Sequence, residues 1–261
     1  MQPDATDRAA NILRQHFRLS TRVSHLPLDC RPANRAEGYA IQRRLADLSG
    51  QPIVGWKIAA TSTLGQAHIG VDGPLAGILL ADRVVNNGSA VSLTGNHMRV
   101  AEAEFAFRVH RALPPRNEPY GQDEVLDAVS AMHPTVEIPD SRYEDFCAVG
   151  APQLIADNAC AWWLVVGAAA PDGWRALDLA AHVVQTTLNG RAAATGAGRN
   201  VLGSPLNALT WIANELRTFG DGLRAGDLVT TGTCIAPVAI APGDRFQADF
   251  GELGSINVSF E

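Results

Sequence analysis

Arg99-Val100-Ala101-Glu102-Ala103-Glu104-Phe105-Ala106-Phe107-Arg108-Val109 carries the decisive pattern in this chain. Ala103, Phe105, Phe107 and Val109 alternate with a more polar set, the period of two that marks a strand. Successive side chains of a strand point to opposite faces, so Glu102 and Glu104 share one face. Two carboxylates that close repel unless positive charge lies between them. Taken alone, such a pair also fits a solvated strand face. Glu137 changes the balance. In Thr135-Val136-Glu137-Ile138 an acid stands among β-branched neighbours, out of place on a purely apolar face. Three acids from two strands make an all-oxygen site suited to Mg2+ or Mn2+ rather than zinc.

Upstream of this stretch the texture is helical. Ala9, Ile12, Leu13 and Phe17 recur at helical spacing over 4–19, and a second helix is expected between Pro32 and Gly50. From Gln51 onward, short strands alternate with glycine and proline turns. Ile53 to Ile58 reads as a strand bearing Lys57, and Leu75 to Leu80 as another, after the Gly70-Val71-Asp72-Gly73-Pro74 turn. Lys57 fits either a surface lysine with its stem on the sheet or a group aimed into the acidic pocket. Asp72 fits a local turn cap as well as a functional acid.

Downstream, Asp123 is expected to cap a helix bearing Val125, Leu126, Val129 and Met132. The run 161–167 reads as buried. Val183 to Leu188, Asn189-Gly190 and Arg191 onward read as a type I′ hairpin. Ser204-Pro205 opens a helix that Gly220 ends. Strands follow over 227–231, 237–240, 245–250 and 255–260. Asp140, Arg142 and Asp157-Asn158 read as turn and salt-bridge residues. Thr230-Thr231-Gly232-Thr233 can present hydroxyls and amides to a carboxylate, or can be a polar strand end. The expected class is α+β, with an N-terminal helical segment over 1–50 and a β-rich catalytic domain over 51–261.

Composition narrows the function. A chain of 261 residues, 46% hydrophobic and 18% charged, can bury a full core without staples. Its net charge of −6 argues against nucleic acid. No apolar run reaches the roughly 18 to 20 residues of a membrane span, and Met1-Gln2-Pro3-Asp4 does not open a signal peptide. Cys30, Cys147, Cys160 and Cys234 lack Cys-x-x-Cys spacing, which argues against zinc and disulfides and for a reducing cytoplasm. The histidines lack ligand spacing, and Gly196-Ala197-Gly198 lacks the rest of a phosphate loop.

The ordered set of short motifs resembles the fumarylacetoacetate hydrolase superfamily, in its 2-keto-4-pentenoate hydratase and 4-oxalocrotonate decarboxylase branch. The set runs through Gly55-Trp56-Lys57-Ile58, Gly70-Val71-Asp72-Gly73-Pro74, Glu102-Ala103-Glu104, Glu137 with Asp140-Ser141-Arg142, and Ala156-Asp157-Asn158. It continues through Leu202 to Asn207, Gly226-Asp227 with Thr231-Gly232-Thr233, and Gly243 to Phe246. The chain departs from the family at Ala59-Ala60, where a glycine is usual, and at Arg99-Val100-Ala101, where Pro-Arg often precedes the first metal carboxylate.

The resemblance implies a mixed β-roll assembled as a homo-oligomer, or together with a paralogous decarboxylase. It implies Glu102, Glu104 and Glu137 as Mg2+ or Mn2+ ligands, and Lys57 and Asp72 as active-site residues. Leu75 and Thr233 are expected substrate contacts. The implied reaction is hydration of a 2-hydroxy-2,4-dienoate to a 4-hydroxy-2-oxo acid in catabolism of aromatics. The alternatives are a 4-oxalocrotonate-type decarboxylase, a C–C hydrolase and, least expected, a non-catalytic partner subunit.

Overall fold

The structure is a computed structural model that describes residues 1–261. Two helices open the chain, α1 over Pro3–Leu19 and α2 over Arg35–Ser49. Strand β1, Ile53–Ala59, is followed by the short helix α3, Thr63–His68. Strands β2 (Leu75–Leu80), β3 (Val84–Asn86), β4 (Ala90–Val91) and β5 (Val100–Val109) come next. Helix α4 (Gln122–Leu126), strand β6 (Val129–Ile138), helix α5 (Gly150–Ala156) and strand β7 (Trp163–Val166) form the middle. The hairpin β8 (Val183–Leu188) and β9 (Arg191–Ala197) precedes helix α6, Pro205–Phe219. The last strands are β10 (Leu228–Thr233), β11 (Val238–Ala239), β12 (Arg245–Asp249) and β13 (Ser255–Phe260).

The larger sheet runs β2-β1-β10-β5-β6-β7-β3, with β11 also paired to β5. Its pairings are antiparallel except β1 with β10 and β3 with β7. Laid flat, seven strands would span about 29 Å at about 4.8 Å per step. The two outermost strands, β2 and β3, are joined by only Ala81-Asp82-Arg83, which bridges at most about 14 Å. The row therefore has to curl into a roll. Its outer face carries Trp56, Ile58, Ile78, Phe105, Phe107, Val136 and Ile138 into the main apolar core. Its inner face carries Lys57, Glu102, Glu104 and Glu137 at one end, then a small apolar plug of Leu79, Ala106, Leu164 and Leu228. The second sheet, β4-β13-β12-β8-β9, packs on the same core, with Phe250 edge-on to Phe105 at 5.3 Å between centroids.

The N-terminal helices begin and end where local chemistry directs. The Asn34 side chain caps α2 by accepting from Glu37 N at 3.0 Å, and Gly50 closes it in the left-handed region. Gln42, buried on α2, donates to the carbonyls of Ala76 on β2 and Ile155 on α5. This seats α2 on the roll. No helix is long and apolar enough to cross a membrane.

The hairpin turn is as the sequence indicates, with Asn189 and Gly190 both at positive φ. The stretch around 122–132 is different. Helix α4 stops at Leu126, Gly121 rather than Asp123 is its N-cap, and Val129 and Met132 lie on β6. The spacing of Val125, Leu126, Val129 and Met132 is helical, but the pairing of eight β6 residues with β5 outweighs it.

Candidate metal centre

Backbone register assembles the acids. On the antiparallel pair β5 and β6, Glu102 is directly opposite Glu137, and Glu104 is two residues along on the same face. One oxygen from each of Glu102, Glu104 and Glu137 lies within 4.8 Å of the others, and no other group of three His, Cys, Asp or Glu side chains converges in this way. Glu104 and Glu137 are buried, and Glu102 is partly so. Glu104 Oε2 accepts from Gly232 N at 3.0 Å, while Glu104 Oε1 and Glu137 Oε2 have no hydrogen-bond partner. The Gly232 amide reaches Glu104 because β10 shifts register between Thr230 and Thr233. At that bulge Gly232 has φ +91°, and a Cβ there would meet Thr61 Oγ1 at 2.2 Å.

Lys57 is the buried cation of the site. Its Nζ stands 3.1 Å from Glu137 Oε1 and donates to the Ala159 carbonyl at 3.0 Å. That carbonyl belongs to an unusual turn, in which Asn158, Ala159 and Cys160 all have positive φ. The turn is held from both sides. Asn158 Oδ1 accepts from Ile78 N at 2.6 Å and its Nδ2 donates to Ile78 O at 2.9 Å, as a strand neighbour would. On the other side, buried Asp157 pairs with buried Arg142 and accepts from Ser141 Oγ.

The electrostatics call for a cation. Burial, then repulsion from Glu137, pushes the Glu102 carboxyl up to about 7 and holds Glu104 well above the usual carboxylate range. Burial alone would lower the Lys57 ammonium, but the carboxylates of Glu137, Glu104 and Glu102 outweigh it and raise it. Were all three acids ionised, one ammonium would leave two negative charges uncompensated in a largely buried site. A hard divalent ion carries the matching charge, and the unpartnered oxygens of Glu104 and Glu137 are the donors such an ion takes. The residues therefore fit the expected metal.

The other expected site residues are placed unevenly. Leu75 is buried on β2, on the same sheet face as Lys57, since Leu75 pairs with Ala59 and Gly77 with Lys57. Thr233 lies opposite Glu104 in register, with its hydroxyl donating to Ile235 O at 2.9 Å. Asp72 is not drawn into the cluster. It stands exposed on its turn, 3.9 Å from Arg35, which bonds more closely to Glu215. Asp140, Arg142 and Asp157 are the salt-bridge residues their sequence suggests, Asp140 pairing with Arg22. Two contributors lie outside side-chain reasoning, the Ala159 carbonyl and the Gly232 amide. The Thr-Gly-Thr pattern does signal an amide offered to a carboxylate, but the carboxylate is the chain's own Glu104.

A family model described as fumarylacetoacetate (FAA) hydrolase C-terminal matches residues 69–261. A 2-keto-4-pentenoate hydratase of Paraburkholderia xenovorans is 34% identical over 266 residues, covering 100% of this chain and 97% of that protein. A 4-oxalocrotonate decarboxylase of Pseudomonas putida is 34% identical over 228 residues, covering 86% of this chain and 85% of that one. Among solved structures, 4-oxalocrotonate decarboxylase from Pseudomonas putida G7, complexed with magnesium and adipate, superposes with a TM-score of 0.90. It shares 29% identity and covers 100% of this chain and 99% of its own.

Proposed function

The chain belongs to the fumarylacetoacetate hydrolase family, and from that premise we propose that it is a divalent-metal-dependent hydro-lyase acting on 2-hydroxy-2,4-dienoates. The observation that carries this reading is the buried triad Glu102, Glu104 and Glu137 with unpartnered oxygens and a single lysine against it. In this reading the three glutamates hold Mg2+ or Mn2+. The ion, when bound, supplies Lewis-acid polarisation of the substrate's carboxylate and 2-oxygen.

The rest falls to the chain's own residues. In the hydration, the dienol loses its 2-hydroxyl proton and gains one at C5, giving a conjugated 2-oxo-3-enoate. Water then adds hydroxyl at C4 and a proton at C3. Lys57, kept as an ammonium by its carboxylate neighbours, holds a proton at Nζ beside the reacting carbons and faces the substrate's negative charge. The Ala159 carbonyl fixes where that proton points. Leu75 shapes the inner wall and Thr233 the rim beside Glu104. Asp72, exposed on its turn, enters this reading through the Gly70-Val71-Asp72-Gly73-Pro74 motif alone. The protein works in the cytoplasm as a homo-oligomer.

A second reading, 4-oxalocrotonate-type decarboxylation, draws support from a decarboxylase relative of the same 34% identity, over 86% of this chain against 100% for the hydratase. Both reactions use the same triad. The test is a spectrophotometric screen of 2-hydroxydienoates with purified protein, with and without Mg2+ or Mn2+. Metal-dependent loss of dienol absorbance without release of carbon dioxide supports the hydratase. Release of carbon dioxide from 2-oxo-hex-3-enedioate supports the decarboxylase. No turnover with either metal sinks both.

A further inference from the structure

The chain carries −6 overall, yet one cavity concentrates positive charge. It occupies about 240 Å³ between the N-terminal helices and the side of the roll where β2 faces β7, and Glu137 lies at its inner end. That is smaller than the roughly 300–1,000 Å³ of drug-sized sites, so it suits a small molecule. Arg14 and Arg18 of α1 and Arg83 of the β2–β3 turn line it. Phe17, Trp162 and Trp163 form its aromatic wall.

Arg83 is pre-set for an anion. Its guanidinium stacks on Phe17, Trp162 and Trp163, at 4.8, 5.2 and 4.6 Å from the ring centroids. Stacking covers the faces of the guanidinium and leaves its N–H edge free. Along that edge Asp82 comes only to 3.7 Å, beyond hydrogen-bonding distance. Arg14 and Arg18 take part in no ion pair. Three cationic side chains thus line a space walled by aromatic rings, with Asp82 beside Arg83 and Glu137 at the inner end as the acids that face them.

We propose that this cavity binds a small carboxylate with a planar or apolar stem. Its carboxylate is held by Arg83, Arg14 and Arg18, and its stem lies against the rings. The site does not depend on the hydratase reading. The carboxylate can belong to the far end of the dienoate substrate or to a separate acid.

The test is calorimetric titration of the EDTA-treated protein with hexanoate, adipate and, as a control, hexylamine. Saturable binding of the acids and none of the amine is expected. Arg83→Met and the surface pair Arg14→Met/Arg18→Met should each weaken binding about tenfold or more, as loss of a charge-assisted bond does. Absence of saturable acid binding overturns the proposal, as does wild-type affinity in the Arg14/Arg18 pair, whose positions on α1 do not threaten folding. Where the loaded enzyme turns over a dienoate, competitive inhibition by hexanoate that disappears in the Arg14/Arg18 pair assigns the site to the substrate's far end. Non-competitive inhibition assigns it to a separate acid, and either result sustains the site. Acid binding by a protein that hydrates no dienoate would overturn the proposed function and leave this site standing.

Discussion

Lys57 Nζ meets Glu137 Oε1 at 3.1 Å although β10 and β5 lie between their strands. Only the curl of the roll brings the two side chains together on its inner face. The pair is buried on both sides. Its strength comes from low dielectric, and its cost comes from desolvation. The uncompensated partner after loss of Lys57 would be a buried carboxylate. Lys57→Ala should therefore do two things. It should lower the melting temperature of the metal-free protein by several degrees, and Mg2+ should restore much of that loss. It should also reduce turnover of the dienoate by about a hundredfold or more, the usual range for removing a proton-transfer group. Near-normal turnover in the folded variant would remove Lys57 from the chemistry.

Glu104→Gln separates metal binding from folding. The amide oxygen of Gln can still accept from Gly232 N, so the bulge of β10 keeps its partner. What is lost is the negative charge and the unpartnered Oε1. Mn2+ affinity measured by calorimetry should fall by about tenfold to a hundredfold or more, with unfolding still cooperative. Full activity together with unchanged Mn2+ affinity would take Glu104 out of the ligand set.

Much of this was readable in the sequence because it rests on local periodicity. Alternation along β5 put Glu102 and Glu104 on one face, and Glu137 stood out as an acid in an apolar strand. Register then did what the pattern implied, placing Glu102 opposite Glu137. The unreadable parts are those made by tertiary context. Nothing in Asp157-Asn158-Ala159-Cys160 announces three consecutive left-handed residues, because none is glycine. The conformation is imposed by Ile78 on one side and Arg142 on the other. Asp72 is a different case: a motif position gives no information on whether its loop is turned inward. At 122–132 the apolar spacing is helical, and only pairing with β5 makes Val129 and Met132 part of a strand.

Asn158→Ala tests the strained turn. Two hydrogen bonds to Ile78 would be lost from a partly buried site, and the left-handed backbone would lose the residue type that best tolerates it. Stability should fall by about 1–3 kcal/mol in denaturant titration. The Ala159 carbonyl would no longer be fixed under Lys57, so kcat should fall more than KM rises. Asn158→Asp, which keeps one acceptor for Ile78 N, should recover part of the stability. Unchanged kcat in a destabilised Asn158→Ala protein would make the turn structural only.

Gly55 is the backbone counterpart. Its φ is +156°, and a Cβ there would lie 1.9 Å from Leu228 O on the parallel neighbour β10. The obstacle is main chain and cannot rotate away. Gly55→Ala should push β1 off β10, two residues from Lys57, and give a protein that is insoluble or melts many degrees lower. Wild-type stability of this variant would mean that the β1–β10 pairing is looser than the register indicates.

The pH dependence of the metal-stripped protein has a definite sign. In the folded chain the Glu102 carboxyl is pushed up to about 7, and Glu104 is raised in the same direction. Unfolded, both return to the ordinary range near about 4.3. Between these limits the folded state binds more protons than the unfolded state, so stability falls as pH rises. Below about pH 4.3 this term no longer varies with pH, and above about pH 7 the contribution of Glu102 is fully lost. Mg2+ competes with those protons for the same oxygens, so its stabilisation should grow across the same window. Melting temperatures measured from pH 5 to 8, in EDTA and in Mg2+, should therefore diverge with increasing pH. Parallel curves would show that the acids carry no proton in the metal-free fold.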